Sequence, residues 1–79
     1  MADRESLKMW VVQALKSNGG TARLVEVAKY IWDRHESELR KSGDLFYTWQ
    51  YAMRWAATAL RGDGILAKTK SGQPWELIK

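Results

Sequence analysis

Hydrogen-bonding and cationic side chains recur at helical spacing between residues 45 and 61, LFYTWQYAMRWAATALR. Arginine can pair with guanine edges, glutamine with adenine edges, and hydroxyl groups with phosphates. At 100° per residue, these groups share one side of a helix, and that side carries no acidic side chain. Its members are Tyr47, Gln50, Tyr51, Arg54, Thr58 and Arg61. The pattern favours contact with duplex DNA, and we add Thr48 to the candidate contacts. The alternative is a solvated helix face whose tyrosines cover the edge of the core.

A second basic element is the turn KTKSGQP, residues 68–74. Lys68 and Lys70 flank a tip of Ser71, Gly72 and Gln73, which could touch phosphates or enter a minor groove. The alternative is an ordinary polar hairpin tip. Arg23, at the start of a predicted second helix, is a further candidate for holding the DNA backbone.

The residues that could support catalysis form no recognisable constellation. His35 is the single histidine, and its neighbours Asp33, Arg34 and Glu36 predict a solvated or helix-capping imidazole rather than a general base. The glycine pairs Gly19-Gly20 and Gly62-x-Gly64 are not followed by the lysine and Ser/Thr of a phosphate loop. The chain has no cysteine, which excludes disulfides and a Cys/His zinc site. We therefore expect no catalytic residue, no metal, no cofactor and no small-molecule ligand.

The opposite side of the third predicted helix is apolar and predicts a core face. Its members are Phe46, Trp49, Met53, Ala56, Ala57 and Leu60. The alanines let other elements approach this helix closely. Trp55 lies at the far flank, with Ala52 and Ala59 between it and the core, and we expect it to be partly buried. Trp10 and Trp75 fall on the apolar sides of their own elements and should be buried with Trp49.

The other elements follow from periodicity and from glycine-rich stops. A first helix carries the stripe Leu7, Trp10, Val11, Ala14 and Leu15, with Asp3 as N-cap and a stop at residues 18–20. Residues 21–22 could form a very short strand. A second helix turns Leu24, Val27, Ala28, Ile31 and Trp32 inward and either breaks near His35 or continues, with a Glu36–Arg40 pair. The third helix begins near Asp44 or Thr48 and ends at residues 62–64, and the runs ILAK and WELI read as a hairpin.

Chain length and net charge limit the classes of protein to which this chain can belong. Seventy-nine residues, 46% of them hydrophobic, predict a single domain over residues 1–79 with a dense core. The net charge of +4 is uneven: residues 1–44 hold eight basic and seven acidic side chains, residues 45–79 five and two. This asymmetry favours an anionic partner for the C-terminal part, although ordinary solubilising charge would look the same. Without an apolar signal or membrane segment, we expect a cytoplasmic protein that does not contact a membrane.

The order helix, possible short strand, helix, helix, strand, turn, strand predicts a mainly α protein with a small β-hairpin. Three helices followed by a hairpin are the layout of a winged helix-turn-helix domain, with a C-terminal wing of two or three strands. In this layout the third helix would enter the major groove of DNA.

Particular residues also resemble a family. The runs WQYAMRWAATALRGDGIL and GQPWEL resemble the N-terminal winged-helix domain of Mrr-like restriction proteins, and GGTARLVEVAKYI resembles its second-helix entry. The matching positions are Trp49, Met53, Trp55, Ala56, Leu60, Gly64, Ile65, Leu66, Gly72, Trp75 and Leu77. Tyr51 stands where the family commonly has another polar residue, and Pro74 is an extra residue in the wing.

This resemblance implies a DNA-recognition module, either free-standing or part of a longer protein, and without the family's nuclease domain. Its roles would be those of a regulator or of the recognition part of a restriction-type system. The expected partner is double-stranded DNA, and a homodimer is a further candidate assembly. The competing hypothesis is a winged helix that docks or dimerises with proteins and does not bind DNA, since fold does not fix function.

Overall fold

The computed structural model of the protein describes residues 3–69 and 72–78, and most of them are helical. The elements in chain order are α1 (Arg4–Ser17), β1 (Thr21–Ala22), α2 (Leu24–Arg40), α3 (Leu45–Gly62) and β2 (Trp75–Glu76). The prediction of a mainly α protein is confirmed, and the small sheet pairs β1 with β2 antiparallel. Among the described residues, no helix combines the length and apolarity needed to cross a bilayer.

Helix α1 begins and ends as its sequence predicts. The Asp3 carboxylate accepts a hydrogen bond from the Ser6 backbone N–H at 3.0 Å, and the Ser6 hydroxyl accepts one from the Asp3 N–H. At the other end, Gly19 has a φ of +80°, and the Gly20 N–H reaches the Leu15 carbonyl at 2.7 Å. A left-handed residue at this position suits glycine, which explains the stop. All five residues of the predicted apolar stripe are buried.

Helix α2 is broken by a kink at His35, the position at which the sequence left a break open. Arg23 precedes it, and the Arg23 backbone N–H donates to the Glu26 carboxylate at 2.8 Å. His35 has non-helical angles (φ −126°, ψ 15°), after which the helix continues to Arg40. The predicted pair is present, with Arg40 Nε 2.7 Å from the Glu36 carboxylate.

The prediction of a solvated or helix-capping His35 is wrong. Its side chain is only 16% exposed, and its ring stacks on Trp10 with centroids 3.9 Å apart and planes 9° apart. His35 Nδ1 also lies 3.0 Å from a carboxylate oxygen of Glu38. The residue sits at the kink inside α2, where α1 packs beside it, so its ring covers the core tryptophan.

Helix α3 begins at Leu45, directly after Asp44, whose side chain makes no capping hydrogen bond. Its predicted core face is confirmed: Trp49, Met53 and Leu60 are buried, and so are the alanines at 56 and 57. Phe46 is half-buried, and Ala52 joins the buried set. Helix α3 packs most extensively against α1.

Of the two predicted hairpin strands, the described residues show one, β2, and a single antiparallel bridge joins its end to residues 65–67; we call these two segments and the described residues between them the hairpin. Leu66 pairs with Leu77, the Ala67 N–H donates to the Glu76 carbonyl at 2.8 Å, and the Ile78 N–H donates to the Ile65 carbonyl at 2.9 Å. On its other side β2 pairs antiparallel with β1. The segment 65–67 and β1 therefore flank β2.

One apolar cluster joins the three helices and the sheet. Trp10, Trp49 and Trp75 are 6%, 7% and 8% exposed, as predicted from their positions on the apolar sides of their elements. Trp75 brings the hairpin onto the helices, because it lies on β2 and belongs to the same cluster. The core therefore fixes the hairpin beside α3.

Candidate functional site

The side of α3 that lies away from the core is open to solvent. Tyr47 is 83% exposed and Tyr51 70% exposed, while Gln50, Arg54 and Thr58 are also exposed. We call these five residues the polar face of α3. Their exposure confirms the helical phase predicted from the sequence, and an acidic side chain is absent from Leu45 to Arg61.

The two threonines of this region turn their hydroxyl groups back onto the helix. Thr48 Oγ1 donates to the Asp44 carbonyl, and Thr58 Oγ1 donates to the Arg54 carbonyl, both at 3.2 Å. A hydroxyl that donates to its own helix keeps acceptor capacity but must rotate before it can donate to a phosphate. Tyr47, Gln50, Tyr51 and Arg54 are therefore the better-placed donors.

Arg61 differs from the rest of the predicted set because it is half-buried. Its guanidinium carbon lies 5.8 Å from the ring centroid of Trp75, at the base of the hairpin. The helical wheel placed Arg61 on the solvent side, which is where an isolated helix would hold it. The hairpin covers the last turn of α3 and encloses the side chain.

Arg61 lines a cleft of about 580 Å³ between the start of α2, the second half of α3 and the hairpin. We call it the arginine cleft. Helix α2 and its cap contribute Arg23, Leu24 and Val25; helix α3 contributes Arg54, Thr58 and Arg61; and the hairpin contributes Thr69, Gly72, Gln73 and Trp75. The polar face of α3 runs into this cleft, since Arg54 and Thr58 belong to both.

The charged side chains that line the arginine cleft are all basic among the described residues. Arg54 and Arg61 line it from α3 and Arg23 from the residue before α2, and none of its described lining residues carries a carboxylate. The ion pairs found within residues 3–69 and 72–78 all lie elsewhere in the fold. The described lining of the cleft is therefore positively charged.

The remaining predicted hairpin contacts divide into three cases. Gln73 is exposed and lines the arginine cleft, whereas Lys68 is exposed and does not line it in the part of the hairpin that is described. Lys70 and Ser71 lie outside the described residues. The structure thus brings Arg23, Arg54, Thr58, Arg61 and Gln73 together and leaves Lys68 apart from them.

The sequence analysis missed Leu24, Val25 and Thr69 as site residues. Val25 is 68% exposed and lies in the shallow groove between α2 and α3, beside Gln50. An exposed valine in the first turn of α2 breaks the inward apolar pattern of that helix, and this was the available signal. Thr69 carries no such signal, because its place beside Arg61 depends on how the hairpin docks.

Trp55 is half-buried, as expected, but its partners are on α1. The guanidinium carbon of Arg4 lies 4.7 Å from its ring centroid, and Lys8 Nζ lies 5.3 Å away. Cations over an indole ring form a stabilising contact and shield its face from water. Trp55 therefore serves the packing of α1 on α3 and lies apart from the polar face.

No cluster of histidine, aspartate and glutamate able to hold a metal occurs among the described residues. Comparison with known proteins gives no significant match, whether to family models, to curated sequences or to solved structures. The geometry of the polar face and of the arginine cleft is therefore the basis for a functional hypothesis.

Proposed function

We propose that this chain is a double-stranded DNA-binding module of the winged helix-turn-helix type. In this proposal α3 enters the major groove with the polar face towards the base edges, and the hairpin acts as the wing beside it. The observation that carries the proposal is the exposed, acid-free polar face of α3, which continues into the arginine cleft beneath the hairpin.

The chemistry of the polar face suits duplex recognition. Gln50 and Arg54 are exposed and offer bidentate donors for adenine and guanine edges. Tyr47 and Tyr51 extend an amphipathic ring and a hydroxyl group into solvent, which suits contacts to sugars and phosphates. Arg23, Arg61 and Lys68 supply positive charge on either side for the backbone.

The element order supports the same proposal. Helices α2 and α3 are joined by a short turn at residues 41–44, as in a helix-turn-helix, and a hairpin follows α3. The resemblance to Mrr-like restriction proteins, carried by residues 49–66 and 72–77, suggests a role as a regulator or as the recognition part of a restriction-type system.

A protein-docking or dimerisation surface is the second candidate, and one observation favours it. Three large apolar or aromatic side chains, Val25, Tyr47 and Tyr51, are at least 68% exposed on the same side of the molecule as the polar face. Exposed aromatic side chains often anchor protein interfaces.

Salt dependence separates the two candidates. Duplex binding measured by fluorescence anisotropy should weaken steeply with salt, because phosphate contacts release counterions. Four such contacts would lower the affinity roughly 100-fold for a fourfold rise in salt concentration. An unrelated acidic protein serves as the control for non-specific attraction. Folded protein that shows no salt-sensitive binding to any duplex would contradict the DNA hypothesis and favour protein docking.

A further inference from the structure

Two polar groups of the arginine cleft are buried without a hydrogen-bond partner in the described part of the chain. Arg61 Nε and Thr69 Oγ1 are both buried, and neither has a hydrogen-bond partner among residues 3–69 and 72–78. Arg61 comes from α3 and Thr69 from the hairpin, so the two unpaired groups lie on different walls of the same cleft. A buried polar group without a partner destabilises the fold, and the effect is larger for a charged group. A ligand that accepts hydrogen bonds would remove this cost.

The guanidinium of Arg61 is also held in place. It lies 5.8 Å from the Trp75 ring centroid, and Trp75 is 8% exposed within the core cluster. A guanidinium packed near an aromatic ring keeps its charge and its remaining donors while losing conformational freedom. Arg61 is therefore better ordered for recognition than an arginine on an open helix surface.

The second cation approaches from the start of α2. Arg23 is exposed, and its backbone N–H already bonds to Glu26, so its conformation at the helix start does not depend on its side chain. With Arg54 at the edge shared with the polar face, three guanidinium groups border one cleft of about 580 Å³. The planar forks of arginine match tetrahedral oxyanions, whose several acceptor oxygens can serve more than one fork.

From this geometry we infer that the arginine cleft is a binding site for one phosphate group, held by Arg61 and Arg23 with Thr69 as a hydroxyl donor. This inference rests on the proposed function in one respect: it assigns the phosphate to the backbone of bound duplex DNA. A backbone phosphodiester in this cleft sets the depth and register at which the polar face of α3 meets the bases, because Arg54 borders both.

The test uses the side-chain Nε–Hε signals of arginine in a two-dimensional proton–nitrogen NMR spectrum. Inorganic pyrophosphate is added at constant ionic strength, and a short duplex is added in a separate titration. The Arg61 and Arg23 signals should shift and saturate in both titrations, whereas those of Arg34 and Arg40, which lie outside the cleft, should not. Shifts that are linear and equal for all arginines would overturn the inference.

Variants provide an independent measurement. Arg61→Gln and Arg23→Gln should each weaken duplex binding about tenfold at constant ionic strength, as expected for the loss of a charge-assisted hydrogen bond. Arg34→Gln is the matched control, because Arg34 is exposed outside the cleft, and it should change the affinity less than twofold. Arg23→Gln keeps the test valid if Arg61→Gln does not fold. Equal affinities for Arg23→Gln and Arg34→Gln would overturn the inference.

The two hypotheses fail in different ways. Saturation by pyrophosphate without any duplex binding would contradict the proposed function and the assignment to DNA, and would support a phosphate site for a free phosphorylated compound. Duplex binding without saturation at Arg61 and Arg23 would support the proposed function and overturn the phosphate site.

Discussion

Trp49 on α3 packs against Trp32 on α2. It is 7% exposed, and its ring is nearly parallel to that of Trp32, with centroids 6.0 Å apart. Tyr47, two residues before Trp49 on α3, has the opposite environment and is 83% exposed. Residues only two apart therefore contribute very differently to stability.

Replacing Trp49 with alanine should lower the free energy of unfolding by about 3–5 kcal/mol, because a large buried side chain leaves a cavity. This loss is comparable to the whole stability of a small domain. Urea denaturation followed by circular dichroism measures it. The matched control is Tyr47→Ala, which should change the stability by less than about 0.5 kcal/mol. Similar values for the two variants would contradict the assigned helix phase.

His35 gives a second prediction at the residue scale. Its ring covers Trp10 at 3.9 Å, so His35→Ala should destabilise the fold by about 1–2 kcal/mol. His35→Phe should retain most of the stability, because it keeps an aromatic ring over Trp10 and loses only the partly exposed pair with Glu38. Thermal melts compare the two variants. Equal losses would show that the contact with the Glu38 carboxylate, and not the ring contact, is the important one.

At the scale of elements, the end of α3 determines where the hairpin begins. Gly64 has a φ of +79°, and the next residue, Ile65, donates its backbone N–H to the Leu60 carbonyl at 2.9 Å. This C-terminal motif reverses the chain and directs it into the segment that pairs with β2. The position of the hairpin over Arg61 therefore depends on a glycine cap.

Two nearby glycines allow a matched test of this cap. Gly64→Ala should destabilise the protein by about 1–2 kcal/mol, because a Cβ disfavours the left-handed conformation. Gly62→Ala should be neutral or stabilising by up to about 1 kcal/mol, because Gly62 is helical and nothing lies within 4 Å of an added Cβ. Chemical denaturation gives both values. A stabilising Gly64→Ala would contradict the capping role.

At the scale of the whole molecule, the candidate DNA contacts come from different elements. Arg54 lies on the polar face and at the edge of the arginine cleft, whereas Lys68 is exposed on the hairpin outside that cleft. The two residues should therefore contribute to DNA binding in different ways, one through base edges and the other through phosphates.

Arg54→Ala should cost about 1–3 kcal/mol on a preferred DNA site and less on random duplex, as expected for a base contact. Lys68→Ala should weaken binding to all sequences alike and reduce the salt slope by about one unit. Anisotropy titrations on both kinds of duplex, repeated across salt concentrations, distinguish these patterns. Lys16→Ala, at the end of α1, is the control and should leave the affinity unchanged. Sequence-independent loss in Arg54→Ala would reassign Arg54 to a phosphate.

The sequence by itself determined the local features of this protein. Apolar side chains at helical spacing must face a core, so the buried sides of α1 and α3, and with them the exposure of Tyr47, Tyr51 and Arg54, follow from periodicity. The stops at residues 18–20 and 62–64 follow from glycine, because it adopts left-handed backbone angles at little cost. Both signals lie within a few residues of the feature that they predict.

Only the tertiary structure decided what meets across elements. Periodicity cannot foresee that His35 covers Trp10, because this contact joins two helices at a kink. Nor can it show that the hairpin encloses Arg61, or that Arg23 and Arg61 share a cleft, since these residues are far apart in the chain. Such contacts depend on how the elements pack, and Trp75, which anchors the hairpin in the core, fixes that arrangement.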